Sequence, residues 1–180
     1  YASMIKEQIG AVAMVELFHA GDQRLWIGNG KVMGPMAYTR PTDGAQIHAM
    51  TQHDIRTTCD EFAQAAYTMK QCGFDGVVVH AGHGWLLHQF FSPITNKRTD
   101  AYGGSLDNRC RFAVEVLHAI RDRCGENFVI ECRISGSEHR SESYTMQDIS
   151  TFANLLSQYA DIIHVSAGLY RDPCETGMVS

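Results

Sequence analysis

Two histidines stand three residues apart in the stretch His80-Ala81-Gly82-His83. The β-branched run 77–79 before them predicts a strand, and Gly82 predicts that a turn follows. Within a strand these two side chains would point to opposite faces, but a turn after His80 can bring the rings together. Two neighbouring imidazole N–H groups could then bind one carbonyl oxygen and withdraw charge from a conjugated double bond.

Spacing alone leaves other interpretations of this pair open. His80 could be a hydrogen-bonded core histidine and His83 an ordinary loop residue, an interpretation that stands level with the catalytic one. A metal pair ranks lower, because a zinc site needs further nitrogen, sulfur or oxygen ligands and the neighbouring sequence offers none.

Two charged side chains lie in apolar surroundings. Arg133 falls within the apolar run 128–134, where an unpaired guanidinium would be costly to bury. Its partner could be the anionic edge of a cofactor, or the carboxylate of Glu131 or Glu16 in a buried ion pair. Glu16 ends the apolar segment 10–17 and raises the same question with the opposite charge. Arg133 and Glu16 are therefore candidate binding residues.

Predicted strands and helices alternate along the chain in the order β-α-β-α-β-α-β. Short apolar runs predict strands at 10–17, 75–80, 128–134 and 161–166. Apolar residues at helical spacing predict three helices, with N-caps at Thr51, Ser105 and Thr145. Strands that are apolar on both faces are typical of a parallel sheet covered by helices.

Two fold classes fit this order, a doubly wound sheet and a (β/α)8 barrel. No Gly-x-Gly-x-x-Gly follows any strand, which weakens the dinucleotide-binding alternative. Polar residues gather where the predicted strands end, namely Glu16, His19, His80, His83, Arg133 and Ser166. In a barrel these strand ends build the active site.

Two polar segments are predicted to be loops. Residues 22–50 are interrupted by glycines and prolines, Gly28 and Gly30 among them, and predict a long irregular segment. Residues 92–109 predict a scaffold loop that leads to the helix cap Ser105.

Composition narrows the class of protein. The net charge of -5 and a pI near 6.0 give no basic surface for nucleic acid. The six cysteines form no Cys-x-x-Cys pair and are expected to be free, buried thiols in a reducing compartment. Without a run of eighteen apolar residues or a signal-peptide pattern, we expect a cytoplasmic protein with neither a membrane nor a nucleic-acid partner.

The stretch HAGHGWLLHQFFSP at 80–93, followed by NKRTDAYGGS at 96–105 and by Asn108-Arg109, resembles the old yellow enzyme family of flavin oxidoreductases. The segments VELFHAG at 15–21, GFDG at 73–76 and RIS at 133–135 support the resemblance. It covers nearly the whole chain, is closest over 73–134, and is nearest to the NADH:flavin oxidoreductases and 2,4-dienoyl-CoA reductase-like ene-reductases.

The resemblance implies an α/β fold, a (β/α)8 TIM barrel that binds FMN at the carboxyl ends of its strands. The chain is expected to be a central fragment of about four consecutive βα units resembling strands 3 to 6. Residues 1–180 would then form a single partial FMN-binding barrel domain that lacks N-terminal and C-terminal strands. In the family the last two strands hold the FMN phosphate, so the isolated chain should lack the main anchor of its cofactor.

Matching positions imply roles for individual residues. His80 and His83 match the pair that hydrogen-bonds the activating group of the substrate, and Arg133 matches the arginine beside the flavin pyrimidine. Glu16 stands where the family usually has a glutamine, and the hypothesis is that it weakens FMN binding or lowers the flavin potential. Trp85 stands where many members have a proton-donating tyrosine. Because an indole N–H is too weak an acid for that task, no proton donor is assigned.

The implied function is that of an FMN-dependent oxidoreductase, which passes hydride from NAD(P)H through the flavin to an activated C=C bond of a small-molecule alkene. The resemblance leaves a homo-oligomer open. One alternative is a non-catalytic truncated barrel fragment that cannot retain FMN, because its edge strands would be unpaired. The other is a metal-dependent TIM-barrel hydrolase that uses His80 and His83.

Overall fold

The computed structural model describes residues 1–7, 10–24 and 31–169. In chain order its elements are α1 (Ala2–Lys6), β1 (Met14–Leu17), a short 3-10 turn (Gly21–Gln23), β2 (Val32–Gly34), β3 (Tyr38–Thr39), β4 (Gln46–Ala49), α2 (Gln52–Gln71), β5 (Gly76–Ala81), α3 (Leu86–Phe91), α4 (Leu106–Cys124), β6 (Val129–Ser135), α5 (Met146–Leu156) and β7 (Ile162–Ser166).

The main sheet contains the four predicted strands, all parallel, in the order β1-β5-β6-β7. Its register pairs His80 with Arg133, and Arg133 in turn with His164. Alternate residues such as Val77 and Val79 are fully buried in the core that the helices share with the sheet. His80 and Arg133 therefore lie side by side on the opposite face, where the interior of a barrel would be.

The predicted helix boundaries are confirmed by their caps. Thr51 forms a capping box with Asp54, and Thr145 forms one with Asp148. The Ser105 side chain accepts a hydrogen bond from the backbone N–H of Asn108. These local signals work because a cap satisfies its own N–H groups without help from distant parts of the chain.

Residues 22–50 are not one irregular loop, as the sequence predicted. They contain a second sheet, ordered β2-β4-β3, in which β4 pairs parallel with β2 and antiparallel with β3. Each strand has only two to four residues, too few for an alternating pattern to stand out. Gly28 and Gly30 lie outside the described residues.

Helix α3 was also missed by the sequence analysis. All six of its residues are buried, so it has no polar face and no helical periodicity to detect. Inside the core, Phe91 at its C-terminal end stacks on Phe152 of α5, with ring centroids 4.2 Å apart. This stack fixes α3 beneath the end of the sheet that carries the histidines.

The prediction of free, buried thiols is confirmed at four positions, Cys59, Cys110, Cys124 and Cys132. Burial raises the pKa of the Cys132 thiol to about 12. The prediction is wrong for Cys72, which is free but exposed at the end of α2, and Cys174 lies outside the described residues.

Within the described ranges, no helix is long and apolar enough to cross a membrane.

Candidate functional site

A cavity of about 470 Å³ opens at the carboxyl ends of β1, β5 and β6. All four candidate site residues line it, together with an aromatic pair and the segment that follows β7; the lining residues are Glu16, Phe18, His80, His83, Trp85, Arg133, Ala167, Gly168 and Leu169. The strand ends that the sequence indicated thus meet at one hollow.

The two histidines come together because a turn that carries His83 directly follows β5, the strand that carries His80. His83 has φ +55° and Gly84 has φ +81°, a left-handed conformation that reverses the chain before α3. The two rings lie 5.0 Å apart between centroids, and Nδ1 of His83 lies 3.2 Å from Nε2 of His80. The prediction that a turn can bring the imidazoles together is confirmed.

Ser166 and Glu16 flank the pair of rings at their outer nitrogen atoms. The Ser166 hydroxyl lies 2.8 Å from Nε2 of His83 and 3.2 Å from the carbonyl of Ile134, and it can donate to either acceptor. The Glu16 carboxylate lies 2.8 Å from Nδ1 of His80. The rings contact each other through their inner nitrogen atoms, so a carbonyl oxygen that binds both histidines must replace contacts that the rings make within the protein.

Glu16 is the carboxylate of the cavity. Its Oε1 lies 2.8 Å from Nδ1 of His80 and 3.8 Å from Nη1 of Arg133. Glu131, the other partner considered for Arg133, instead pairs with His164 at 2.9 Å. Of the two carboxylates proposed from sequence, it is Glu16 that lies within ion-pair distance of Arg133.

Burial dominates the electrostatics of the two rings. It lowers the pKa of His80, an effect that Glu16 opposes and that the positive charge of Arg133 reinforces. Burial also lowers the pKa of His83, again with Arg133 acting in the same direction. Both imidazoles are therefore neutral near pH 7, which is the form in which one N–H per ring is available to an acceptor.

One buried donor at the cavity, Nε of Arg133, has no hydrogen-bond partner among the described residues. Nδ1 of His80, by contrast, lies 2.8 Å from the Glu16 carboxylate. Buried polar atoms are usually satisfied, so the unpartnered Nε of Arg133 points to a ligand. This Nε belongs to a positively charged guanidinium. As a donor it therefore suits an electron-rich acceptor such as the pyrimidine edge of a flavin.

His19 does not join the site, although it was placed with the other strand-end residues. Its Nδ1 accepts from the backbone N–H of Gly21 at 3.0 Å, and it lines an adjoining hollow between β1 and α2 that shares Glu16 and Phe18 with the cavity. Among the described residues, no group of three His, Cys, Asp or Glu side chains is arranged to hold a metal ion.

Sequence reasoning did not identify Phe18 as a lining residue. Its ring lies 5.4 Å from that of Trp85, centroid to centroid, and the two form an aromatic rim on the cavity. The available signal was its position directly after the last residue of β1, where a parallel strand delivers side chains to a site. Aromatic rings in such a position can cover a planar ligand.

Comparison with known proteins matches nearly the whole chain to a family of flavin oxidoreductases. Residues 2–171 match the model of the NADH:flavin oxidoreductase / NADH oxidase family. An NADPH dehydrogenase from Geobacillus sp. is 37% identical over 169 residues, which cover 93% of this chain and 48% of the relative. The chain thus spans about half the length of this relative.

Two solved structures are similar in fold. A 2-naphthoyl-CoA reductase bound to 2-naphthoyl-CoA superposes with a TM-score of 0.82 at 28% identity, over 91% of this chain and 27% of its own. Histamine dehydrogenase from Rhizobium sp. 4-9 gives a TM-score of 0.84 at 30% identity, over 94% of this chain and 25% of its own.

The fold and these similarities define a partial (β/α)8 barrel of the oxidoreductase class, as predicted from the sequence. The chain belongs to the NADH:flavin oxidoreductase / NADH oxidase family, and the predicted resemblance to old yellow enzymes is confirmed.

Proposed function

We propose that this chain carries the substrate-polarising part of an FMN-dependent oxidoreductase that passes hydride from NAD(P)H to an activated C=C bond of a small molecule. The observation that carries the proposal is the cavity itself, where Glu16, His80, His83 and Arg133 meet and where Nε of Arg133 is buried without a hydrogen-bond partner.

The residues present fit FMN. Arg133 would hold the pyrimidine edge, donating from its free Nε and placing positive charge beside it. Glu16 would accept a hydrogen bond at the same edge, but a carboxylate cannot also donate to a pyrimidine oxygen. When bound, FMN supplies the hydride chemistry, while these two side chains fix how the ring lies in the cavity.

His80 and His83 act on the substrate rather than on the cofactor. A conjugated carbonyl that replaces the contacts of the two rings with each other and with Ser166 would accept one N–H hydrogen bond from each histidine. Those bonds withdraw charge from the double bond and make its far carbon more electrophilic. The rim of Phe18 and Trp85 would shield the alkene from water.

Residues 1–180 are proposed to form a single partial barrel domain, with activity belonging to the complete barrel and FMN held there by further strands. An activated alkene would be the substrate, and neither nucleic acid nor a membrane is expected as a partner. Assembly into a homo-oligomer is compatible with this proposal. The expected compartment is the cytoplasm.

The competing proposal is a non-catalytic fragment that cannot retain FMN. It is favoured by the two outer strands of the main sheet, β1 and β7, each of which pairs on one side only within the described residues. Val165 on β7 is 60% exposed. Such an edge leaves ladder groups and apolar surface to water.

The test is to compare the 180-residue chain with a version that completes the barrel, measuring bound-flavin absorbance and NAD(P)H-dependent reduction of an α,β-unsaturated carbonyl compound. We expect flavin and activity in the complete barrel. The flavin absorbance of the purified 180-residue chain decides whether the fragment alternative holds for it, and flavin in neither protein would refute the proposed function. Elemental analysis showing a bound metal, with hydrolysis in place of alkene reduction, would favour the hydrolase.

A further inference from the structure

A third histidine lies beneath the site and does not line its cavity. His88 is on α3, and its side chain is fully buried. Its Nδ1 accepts a hydrogen bond from the backbone N–H of Gly84 at 2.7 Å. A buried histidine in an apolar helix needs a partner for each ring nitrogen, and here one partner is the turn that carries His83.

The second ring nitrogen of His88 is connected to β6 by two hydrogen bonds in sequence. Because Nδ1 accepts, the neutral ring carries its proton on Nε2, which donates to the Tyr144 hydroxyl at 3.1 Å. That hydroxyl donates in turn to the carbonyl of Ser135 at 2.7 Å. The carboxylate of Glu138 lies farther from Nε2, at 3.5 Å.

Ser135 also holds the turn directly. Its Oγ accepts from the backbone N–H of His83 at 2.9 Å and donates to the carbonyl of Gly168 at 3.1 Å. Two successive N–H groups, those of His83 and Gly84, thus both lead to Ser135, one directly and one through His88 and Tyr144.

The other side of the same turn is fixed as well. The carbonyl of Gly84 accepts from Nε2 of Gln23 at 2.6 Å and from Nε2 of Gln89 at 2.7 Å. His83 holds φ +55°, a conformation that residues with a Cβ seldom adopt. Surrounding hydrogen bonds must therefore maintain it, and it is this conformation that turns the ring of His83 toward His80.

We propose that His88 and Tyr144 are positioning residues, which hold the left-handed turn at His83 and Gly84 and so keep the two imidazoles of the site facing each other. The inference rests on the proposed function for the alkene-reduction part of its test. Neither residue touches the cavity, so each acts only through the turn.

The test uses three variants of the complete, FMN-loaded protein. His88→Leu removes both ring nitrogens, Tyr144→Phe removes the hydroxyl, and His88→Asn keeps an acceptor where Nδ1 lies. The matched control is Tyr102→Phe, because Tyr102 is as buried as Tyr144 (7% against 8% exposed) and its hydroxyl bonds Glu115 on α4, away from the cavity.

We expect kcat for alkene reduction to fall roughly 10- to 100-fold in His88→Leu and Tyr144→Phe, because small misplacements of a catalytic group carry costs of that size. His88→Asn should restore part of the loss, because it keeps the acceptor for the Gly84 N–H but not the contact with Tyr144, and Tyr102→Phe should match the wild type. FMN absorbance should be retained throughout, since no flavin-facing residue is changed.

A second measurement does not depend on activity. Nitrogen-15 shifts of the His83 ring should show one predominant tautomer in the wild type, His88→Asn and Tyr102→Phe, but a mixture of tautomers in His88→Leu and Tyr144→Phe. If the two disruptive variants lower only the melting temperature and leave kcat and the His83 spectrum unchanged, the proposal is overturned. If His88→Leu does not fold, the comparison of Tyr144→Phe with Tyr102→Phe decides.

The two arms also separate this inference from the proposed function. A wild-type protein that reduces no alkene, but whose His83 spectrum responds to Tyr144→Phe and not to Tyr102→Phe, would defeat the proposed function and support the positioning role. An unchanged spectrum would defeat the positioning role even in an active enzyme.

Discussion

Oε1 of Glu16 lies 2.8 Å from Nδ1 of His80. The register explains the contact, since Glu16 pairs with Val78, which lies two residues before His80 and on the same face of the sheet. The same oxygen lies 3.8 Å from Nη1 of Arg133. One carboxylate therefore connects the residues expected to face the substrate with the residue expected to face the flavin.

Glu16→Gln should change both the pKa of His80 and the affinity for FMN. The pKa of His80 should fall further, because Glu16 is the group that raises it against burial. FMN should bind roughly 5- to 10-fold more tightly, about 1 kcal/mol, since an amide can also donate to the pyrimidine and Arg133 is no longer partly neutralised. Histidine NMR and a flavin fluorescence titration measure the two effects.

Glu131→Gln is the control for this variant, because Glu131 pairs with His164 and does not contact His80. It should leave the FMN affinity and the His80 pKa as they are. An unchanged affinity together with an unchanged flavin potential in Glu16→Gln would refute the role given to Glu16.

His80→Ala and His83→Ala should each lower kcat/KM for alkene reduction by about 100-fold, the usual loss for one donor to a developing negative charge. The double variant should lose less than the product of the two, because the rings share a hydrogen bond of 3.2 Å. His118→Ala, on the exposed side of α4, should have no effect. Losses that simply multiply would show that the two rings act independently.

Stability should depend on pH through His88. Burial lowers its pKa to about 3 from a usual 6.5, so below pH 6.5 the unfolded chain takes up a proton that the folded protein excludes. The free energy of unfolding should therefore fall as the pH drops, with this residue contributing about 2 kcal/mol between pH 6.5 and pH 5. Urea unfolding at several pH values measures the slope.

His88→Asn removes this titrating group but keeps the other histidines. Its free energy of unfolding should fall less steeply over the same pH range, and the difference between the two curves isolates His88. Parallel curves for the variant and the wild type would contradict the assignment of a neutral, buried His88.

The aromatic stack under the site should be a large source of stability. Phe152→Ala removes the ring that stacks on Phe91 at 4.2 Å in the core and should cost roughly 3–5 kcal/mol. Phe18→Ala, at a position that is 59% exposed, should change the free energy of unfolding by less than about 0.5 kcal/mol. Denaturant unfolding checks both, and equal losses would show that the stack is not the cause.

The sequence was sufficient wherever a signal is local. The caps Thr51 and Thr145 can be recognised because an aspartate follows each of them three positions later. Runs of β-branched residues predict the four parallel strands. The same rule indicated the four candidate site residues that line the cavity, because side chains at the carboxyl ends of parallel strands converge. The contact of His80 with His83 needed only a turn.

Other contacts depend on the register between distant strands and could not be read from the sequence. Tyr144 meets His88 across 56 positions, and Ser166 meets His83 across 83. The small sheet of β2, β3 and β4 is invisible for a different reason, since its strands are too short to show a period. Helix α3 is hidden because it is buried on every side.

FMN affinity of Arg133→Gln in the complete barrel is the most direct test of the site. Arg133 holds the free, buried donor at the cavity, so its loss should weaken FMN binding by roughly tenfold or more, as expected for a hydrogen bond from a charged group. Arg123→Gln, at an exposed position on α4, is the control and should bind FMN as the wild type does. An Arg133→Gln protein that binds FMN as tightly as the wild type would contradict the assignment of this cavity as the flavin site.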